Sequence, residues 1–532
     1  MTRSFLKRLP GRSRHSGMPV RPISLTMRAT RLCPLLLLWA LSLLAGCASP
    51  VQRADTGSEP AMARSSDLFW RHLEEDRERD WFYLLNDGGE AMQWRLRMID
   101  SAHQAIDLET FLWSGDEGGL RVFNHLLAAA DRGVKVRLLI DDSFTPHEDL
   151  ALLGIDAHPN IELRVYNPYR HRAGGMTART LFNLEDFQRV NHRMHNKTLI
   201  VDGWAVAVGG RNMADEYFGF HEAYNFRDME VLAMGDSVAT ASEHFASFWN
   251  SGWSFPAGDV FTGQHELPDL PALRADIAAR VGEANVHPEA ELAQSWRQLA
   301  DDAVVGHARF VADAPAHQDP ALAAEQPTQF ADYVFQSVAS ASEEVVLVSA
   351  YLVPTERLTT AIRDALQRDV KVRILTNSMR SNNHLPAHAA YQGYVRELVV
   401  AGVELYELRT DARDRNLYMR APTDDKKLGL HAKFMLLDGD RVMIGSSNLD
   451  PRSLKLNTEV GLMVTSPQLN QRLREAIAVD FLPRNAWAVQ LDENQELVWT
   501  SDSERLTHPP ADSLFQQLED WFIGLLPIDA EM

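Results

Sequence analysis

Short strand-like apolar runs alternate with helical stretches along most of the chain, and one such series occurs twice. Arg132–Asp141 reads RGVKVRLLID and Arg368–Asn377 reads RDVKVRILTN, an offset of 236 residues. Each follows an earlier apolar run (Ala105–Trp113, Glu344–Val353) and a helical stretch (Gly119–Asp131, Leu358–Gln367). Strand, helix, strand in that order is the unit of a mostly parallel sheet flanked by helices. The pattern therefore predicts an α/β protein made of two copies of one unit, over residues 66–262 and 330–485. Between them, Gly263–Gln329 is rich in Pro, Ala and His with sparse strand signal, and reads as a connection or as a cover over the site. Residues 486–532 read as a tail, in which Ser513–Leu526, stopped by Pro527, has the pattern of an amphipathic helix. Such a helix can dock on the body or on a bilayer.

The start of the chain has a different character. Its only long apolar run, Leu32–Gly46, is about 15 residues, short of the roughly 20 that a membrane-crossing helix needs. Basic residues precede it and no acidic residue occurs before Asp55, the pattern of a secretory signal over residues 1–46. Met18 and Met27 are alternative starts. The exit, Leu44-Ala45-Gly46-Cys47, resembles a bacterial lipobox, which implies a lipid-modified Cys47 as the new N-terminus. Ala48 after it, by the same resemblance, favours the outer over the inner membrane, on the periplasmic side of a bacterial envelope. Cys33, the only other cysteine, leaves with the signal, so the processed chain has no internal disulfide. Residues 47–65 are small and polar and read as a tether.

Removing the signal takes away eight Lys/Arg and no Asp/Glu, leaving 45 basic against 73 acidic residues, a net of −28. A chain that binds nucleic acid through phosphate contacts should have the opposite sign, so no nucleic-acid partner is expected.

The candidate chemistry lies in a polar motif that also recurs at 236 residues. The first copy runs His195, Lys197, Asp202, Gly209, Gly210, Asn212, and the second His431, Lys433, Asp438, Gly445, Ser446, Asn448. Four such residues at set spacing arise by chance on the order of 10⁻⁶ per position. Alternation along a strand would put His195, Lys197 and Leu199 on one face, an imidazole beside a phosphate-neutralising cation. Gly209, Gly210 and Gly445 allow close backbone approach to an anion, and Asn212, Ser446 and Asn448 can donate to phosphate oxygens. Asp202 and Asp438 read as braces of the fold. Asp141-Asp142, His192 and the scattered His265, His287, His307 and His317 show no metal-ligand spacing, and no metal or cofactor is expected.

Both copies match the HxKxxxxD signature of the phospholipase D superfamily. The stretches His192–Thr198, Val208–Phe218, Gly402–Leu408, Gly445–Ser453 and Leu456–Glu459 look like cardiolipin synthases of the type C kind. The resemblance implies two pseudo-twofold-related halves and a metal-free, two-step transfer of a phosphatidyl group. In it His195 attacks phosphorus and His431 serves as acid, then base. The implied substrates are phosphatidylglycerol and a second phospholipid such as phosphatidylethanolamine; the alternatives are a phospholipase D releasing phosphatidic acid, or a secreted phosphodiesterase or nuclease. Each histidine also needs a carboxylate to set its tautomer. In the second half that partner is expected to be Glu459, and in the first, by alignment of strand ends, Asp228.

Overall fold

The computed structural model describes residues 57–74, 80–143, 154, 156–172, 182–261, 269–316 and 329–511, all within one compact unit that begins at Arg53. The first strands are β1 (Asp80–Leu85), β2 (Ala105–Thr110), β3 (Lys135–Asp141), β4 (Ile161–Tyr166), β5 (Thr198–Val201), β6 (Ala205–Gly209), β7 (Tyr224–Arg227), β8 (Glu230–Met234) and β9 (Ser254–Pro256). Then come β10 (Val304–Ala312), β11 (Glu344–Val348), β12 (Lys371–Asn377), β13 (Glu404–Leu408), β14 (Lys427–Leu430) and β15 (Phe434–Leu437). The last are β16 (Arg441–Gly445), β17 (Val460–Thr465), β18 (Ala486–Leu491), β19 (Leu497–Thr500) and β20 (Arg505–Leu506).

The duplicated strand, helix, strand unit is present in both halves. Helix Glu117–Asp131 joins β2 to β3, and helix Glu356–Gln367 joins β11 to β12. β2, β3 and β4 pair in parallel, as do β11, β12 and β13. There the parallel part ends and the sheet becomes mixed. β5 and β15 return antiparallel beside β2 and β11, then hairpin onto β6 and β16, which pair antiparallel with β8 and β17. The turns explain this, because a short reversal forces antiparallel pairing. Asp202 and Gly203 (φ 52° and 70°) make one turn and Asp438 (φ 51°) the other, in the left-handed region that Asp and Gly tolerate.

Each turn carboxylate is tied into the fold. Asp202 accepts from the Trp70 indole (2.8 Å) and from the amides of His103, Gln104 and Ala105. Asp438 accepts from the amides of Ser342, Glu343 and Glu344 and from Arg441. Burial raises the Asp438 carboxyl, but these donors outweigh it and bring it down to about 2.

Three boundaries expected from the sequence are drawn differently. β10, inside the presumed connection, pairs with β17 as β1 pairs with β8, and β1 and β10 pair with each other. The second repeat therefore begins at Val304, and this joint fuses both sheets into one of 18 strands. The helices before it, Leu270–Val281 and Glu289–Asp302, put Ile277, Leu292 and Trp296 into the first half's core, so they do not cover the site. The expected tail starts with β18, which flanks β13 just as β9 flanks β4. The end of the expected tether is docked: Glu59 accepts from Arg164 (2.9 Å) and Trp249 (3.1 Å).

Each half keeps its own apolar core, with Trp70, Trp94 and Trp296 packed edge-on in the first and Phe330, Tyr391 and Trp487 in the second. The seam between the halves is instead polar, and it includes a two-stranded parallel ladder of β7 with β14. Cys47, the expected signal and the Ser513–Leu526 helix lie outside the described residues. Among the described residues no helix is long and apolar enough to cross a membrane.

Candidate active site

Both motif histidines stand in extended segments just before β5 and β15, not in the ladder itself. Leu199, within β5, goes into the core and does not share a site face with them. What holds each segment is the other half. The His195 amide donates to the Thr458 carbonyl (3.0 Å), and the His431 amide to that of Arg227 (2.9 Å).

The carboxylates follow these backbone contacts, and so they cross. His195 Nδ1 bonds Glu459 (2.9 Å), and His431 Nδ1 bonds Asp228 (2.8 Å). The expected pairing within each half is thus overturned. Aligning strand ends identifies which carboxylates are equivalent, but equivalence between repeats carries no information about what faces what across their seam. With Nδ1 engaged on both rings, Nε2 is the nitrogen left to react.

The lysines complete a buried cluster. Lys197 donates to the His195 carbonyl (2.6 Å), while Lys433 bonds both the carbonyl and Nδ1 (2.7 Å) of His431. Burial, then Lys197, Lys433 and Arg452, hold the His195 imidazolium well below its usual range; burial, Lys433, Lys197 and His195 itself do so for His431. Burial pushes Lys197 down to about 7 and Lys433 down to about 8, and pushes Glu459 up to about 7. It also raises Asp228, against the pull of Lys433 and Arg211. Groups from both halves appear in each balance, so the two histidines titrate as one unit.

The glycines and polar motif residues serve this cluster more directly than a ligand. A Cβ at Gly210 would stand 2.4 Å from Asp228 Oδ1, so the anion that Gly210 admits is the protein's own carboxylate. Gly209 and Gly445 likewise make room for the neighbouring strand, at Met229-Glu230 and at Val460. Ser446 donates to Glu459, and Asn212 donates to the Tyr217 hydroxyl (2.8 Å), which commits two of the expected phosphate donors to the protein. Asn448 is buried, and its amide oxygen makes no hydrogen bond. We expect Gly210→Ala to lower kcat at least tenfold, by displacing Asp228 from His431, while the chain still folds. Steady-state kinetics beside a thermal melt check this; wild-type turnover would contradict it.

Other expectations resolve into structural roles. His192 bonds the Leu456 carbonyl across the seam (2.9 Å). Asp141 pairs with Arg193 and Asp142 with Arg172. His287 bonds Asp100 (2.7 Å), and His307 is exposed on β10; His265 and His317 lie outside the described residues.

Several site residues carried no sequence signal that was used. Phe111 packs edge-on to His195 (4.9 Å), and Tyr217 and Phe226 pack on His431. Glu109, buried and raised to about 7, bonds Thr198 (3.0 Å) and Asn196. Asp313 accepts the Glu459 amide (3.0 Å) and an amide at the start of helix Gln329–Ala339. Arg211 binds Glu230 and the carbonyl of Asp228. Of these, Glu109 was legible as a lone charge in an apolar strand and Arg211 lies inside the motif.

Two imidazoles, each backed at Nδ1 by a carboxylate and flanked by a lysine, on a duplicated α/β body, define a phosphodiester-transfer centre of the phospholipase D type. The chain belongs to that superfamily: the family model described as "Cardiolipin synthase, PLD-like domain" matches residues 96–249 and 334–480. Cardiolipin synthase C of Escherichia coli (strain K12) is 33% identical over 83% of this chain and 93% of its own length. Cardiolipin synthase B of Salmonella typhimurium is 28% identical over 75% of this chain and 80% of its own. The crystal structure of phosphatidylserine synthase from Haemophilus influenzae shares the fold, with a TM-score of 0.50 at 13% identity over 77% of this chain and 90% of that one.

Proposed function

We propose that this chain is a phosphatidyltransferase that makes cardiolipin, moving a phosphatidyl group onto the glycerol headgroup of phosphatidylglycerol. The observation that carries the reading is the crossed pairing of His195 with Glu459 and His431 with Asp228. His195, neutral through burial, attacks phosphorus through Nε2. The bond to the leaving alcohol breaks, and its oxygen takes a proton from His431 Nε2. The acceptor hydroxyl then attacks phosphorus and gives its proton to His431, while the electron pair of the P–N bond returns to His195. Lys197 and Lys433 neutralise the nonbridging oxygens, joined by Asn448. The negative phosphodiester favours the protonated His431 that the empty site disfavours.

Water at ~55 M competes for the intermediate, whereas a well-oriented bound alcohol reaches effective molarities of roughly 10⁵ M or more. Labelled phosphatidylglycerol in vesicles, with and without phosphatidylethanolamine, tests the assignment. Cardiolipin as the main product is expected; phosphatidic acid as the dominant product under every donor combination would make the protein a phospholipase D.

Activity should also depend sharply on pH. Glu459 takes up a proton as pH falls through about 7, and Lys433 loses one as pH rises through about 8. The profile of kcat/KM is therefore expected to be a narrow bell near neutrality. A flat profile between roughly pH 6 and 9 would contradict this.

The relatives' role in phospholipid synthesis supports a membrane-bound setting, and Cys47 supplies the anchor, facing the periplasm. Cys47→Ser should release the protein from membranes or block processing. Unchanged retention would assign the anchoring to the Ser513–Leu526 segment.

A further inference from the structure

We infer that Arg452 determines the choice of acceptor, by holding the phosphodiester of the incoming phosphatidylglycerol while its hydroxyl meets the intermediate; this rests on the transferase reading above. Making cardiolipin brings two phosphodiesters, separated by a single glycerol, into one chamber of a chain whose net charge is −20. Lys197 and Lys433 serve the phosphorus under attack. The second anion needs its own cation, since two like charges at that spacing repel strongly where water is scarce.

Arg452 is placed for this. It lies in the first turn of helix Pro451–Lys455, and its guanidinium crosses the seam to the side chain (2.8 Å) and carbonyl (3.1 Å) of Asn191. The adjoining seam contacts, His192 with Leu456 and Thr458 with Arg193 and His195, lead directly to the reacting histidine. Arg452 is thus held one step outward from His195, by a residue of the other half. Its positive charge disfavours protonation of His195 and also of His384, an exposed ring packed on Tyr351 (5.6 Å). The guanidinium therefore stands between the buried centre and the surface. Arg211, by contrast, is 1% exposed and is occupied by Glu230 and backbone carbonyls, whereas Arg452 is only half-buried. A planar guanidinium suits a phosphodiester, because it can offer two parallel donors to the two nonbridging oxygens.

The role predicts a change in product ratio rather than a loss of chemistry. Labelled phosphatidylglycerol in vesicles with added ethanol gives three products at once: cardiolipin, phosphatidylethanol and phosphatidic acid. Arg452→Gln is expected to lower the cardiolipin share about tenfold or more, with phosphatidylethanol and phosphatidic acid formation within about threefold of wild type. Arg452→Lys, which keeps the charge, should recover part of it. Asn191→Ala removes the seam bond but keeps the guanidinium, and should leave the ratio near that of wild type. A parallel fall of all three products in Arg452→Gln, or the same shift in Asn191→Ala, would reduce Arg452 to a structural strut and overturn the inference. A wild-type enzyme that makes phosphatidic acid alone would sink the transferase reading itself, an outcome visible before any variant is compared.

Discussion

His195→Ala is expected to lose transfer and hydrolysis together, by about 10⁴-fold or more, since both products arise from the same phosphatidyl-enzyme. The ring removed is the one whose Nδ1 is held by Glu459 and whose imidazolium is disfavoured by burial and by Lys197, Lys433 and Arg452. A neutral imidazole with Nε2 left to react is a ready nucleophile, and no other described group in the cluster can replace it. Lipid extracts of cells producing the variant should lack the extra cardiolipin that the parent enzyme makes. Substantial phosphatidic acid from purified His195→Ala would mean that water attacks the substrate directly, and the covalent route would fail.

His431→Ala should behave differently, and the contrast separates the two roles. A general acid typically contributes roughly 10²–10⁴-fold, so turnover of a phospholipid with an ordinary headgroup should fall by that amount. A nitrophenolate leaves without a proton, so release from a nitrophenyl ester should be much less impaired. The Asp228 carboxylate, bonded to His431 Nδ1, and the Lys433 ammonium beside it set the proton affinity of this ring. Pre-steady-state bursts of nitrophenol read the first step alone. If His195→Ala is the variant rescued by the good leaving group, the two histidines have exchanged roles.

The reacting residues were legible because the polar motif and the strand repeat recur at one common offset, 236 residues, and because His and Lys at that spacing have few bland uses. Identifying Asp228 and Glu459 was possible for the same reason, since corresponding strands end alike. Their crossing was not, because it is a property of the seam, where His195 meets Thr458 and His431 meets Arg227. β10 escaped notice for another cause. It alternates buried Val304 and Gly306 with exposed Val305 and His307, and that pattern dissolves into a Pro, Ala and His-rich background. Ser446 and Asn212 show a further limit of motif reading. A buried polar side chain must find partners, and the residue type alone does not say whether those partners are substrate or protein.

The most direct test of the shared two-histidine centre is to trap the intermediate and locate it. A phospholipid labelled in phosphorus and carrying a nitrophenolate leaving group is mixed with His431→Ala, which forms the adduct but lacks the base that activates the acceptor. Quenching at alkaline pH, where phosphohistidine survives, and mass spectrometry of the peptides then follow. One phosphatidyl group per chain on Nε2 of His195 is the expected result. No adduct, or one carried by any other residue, would contradict the two-histidine covalent mechanism.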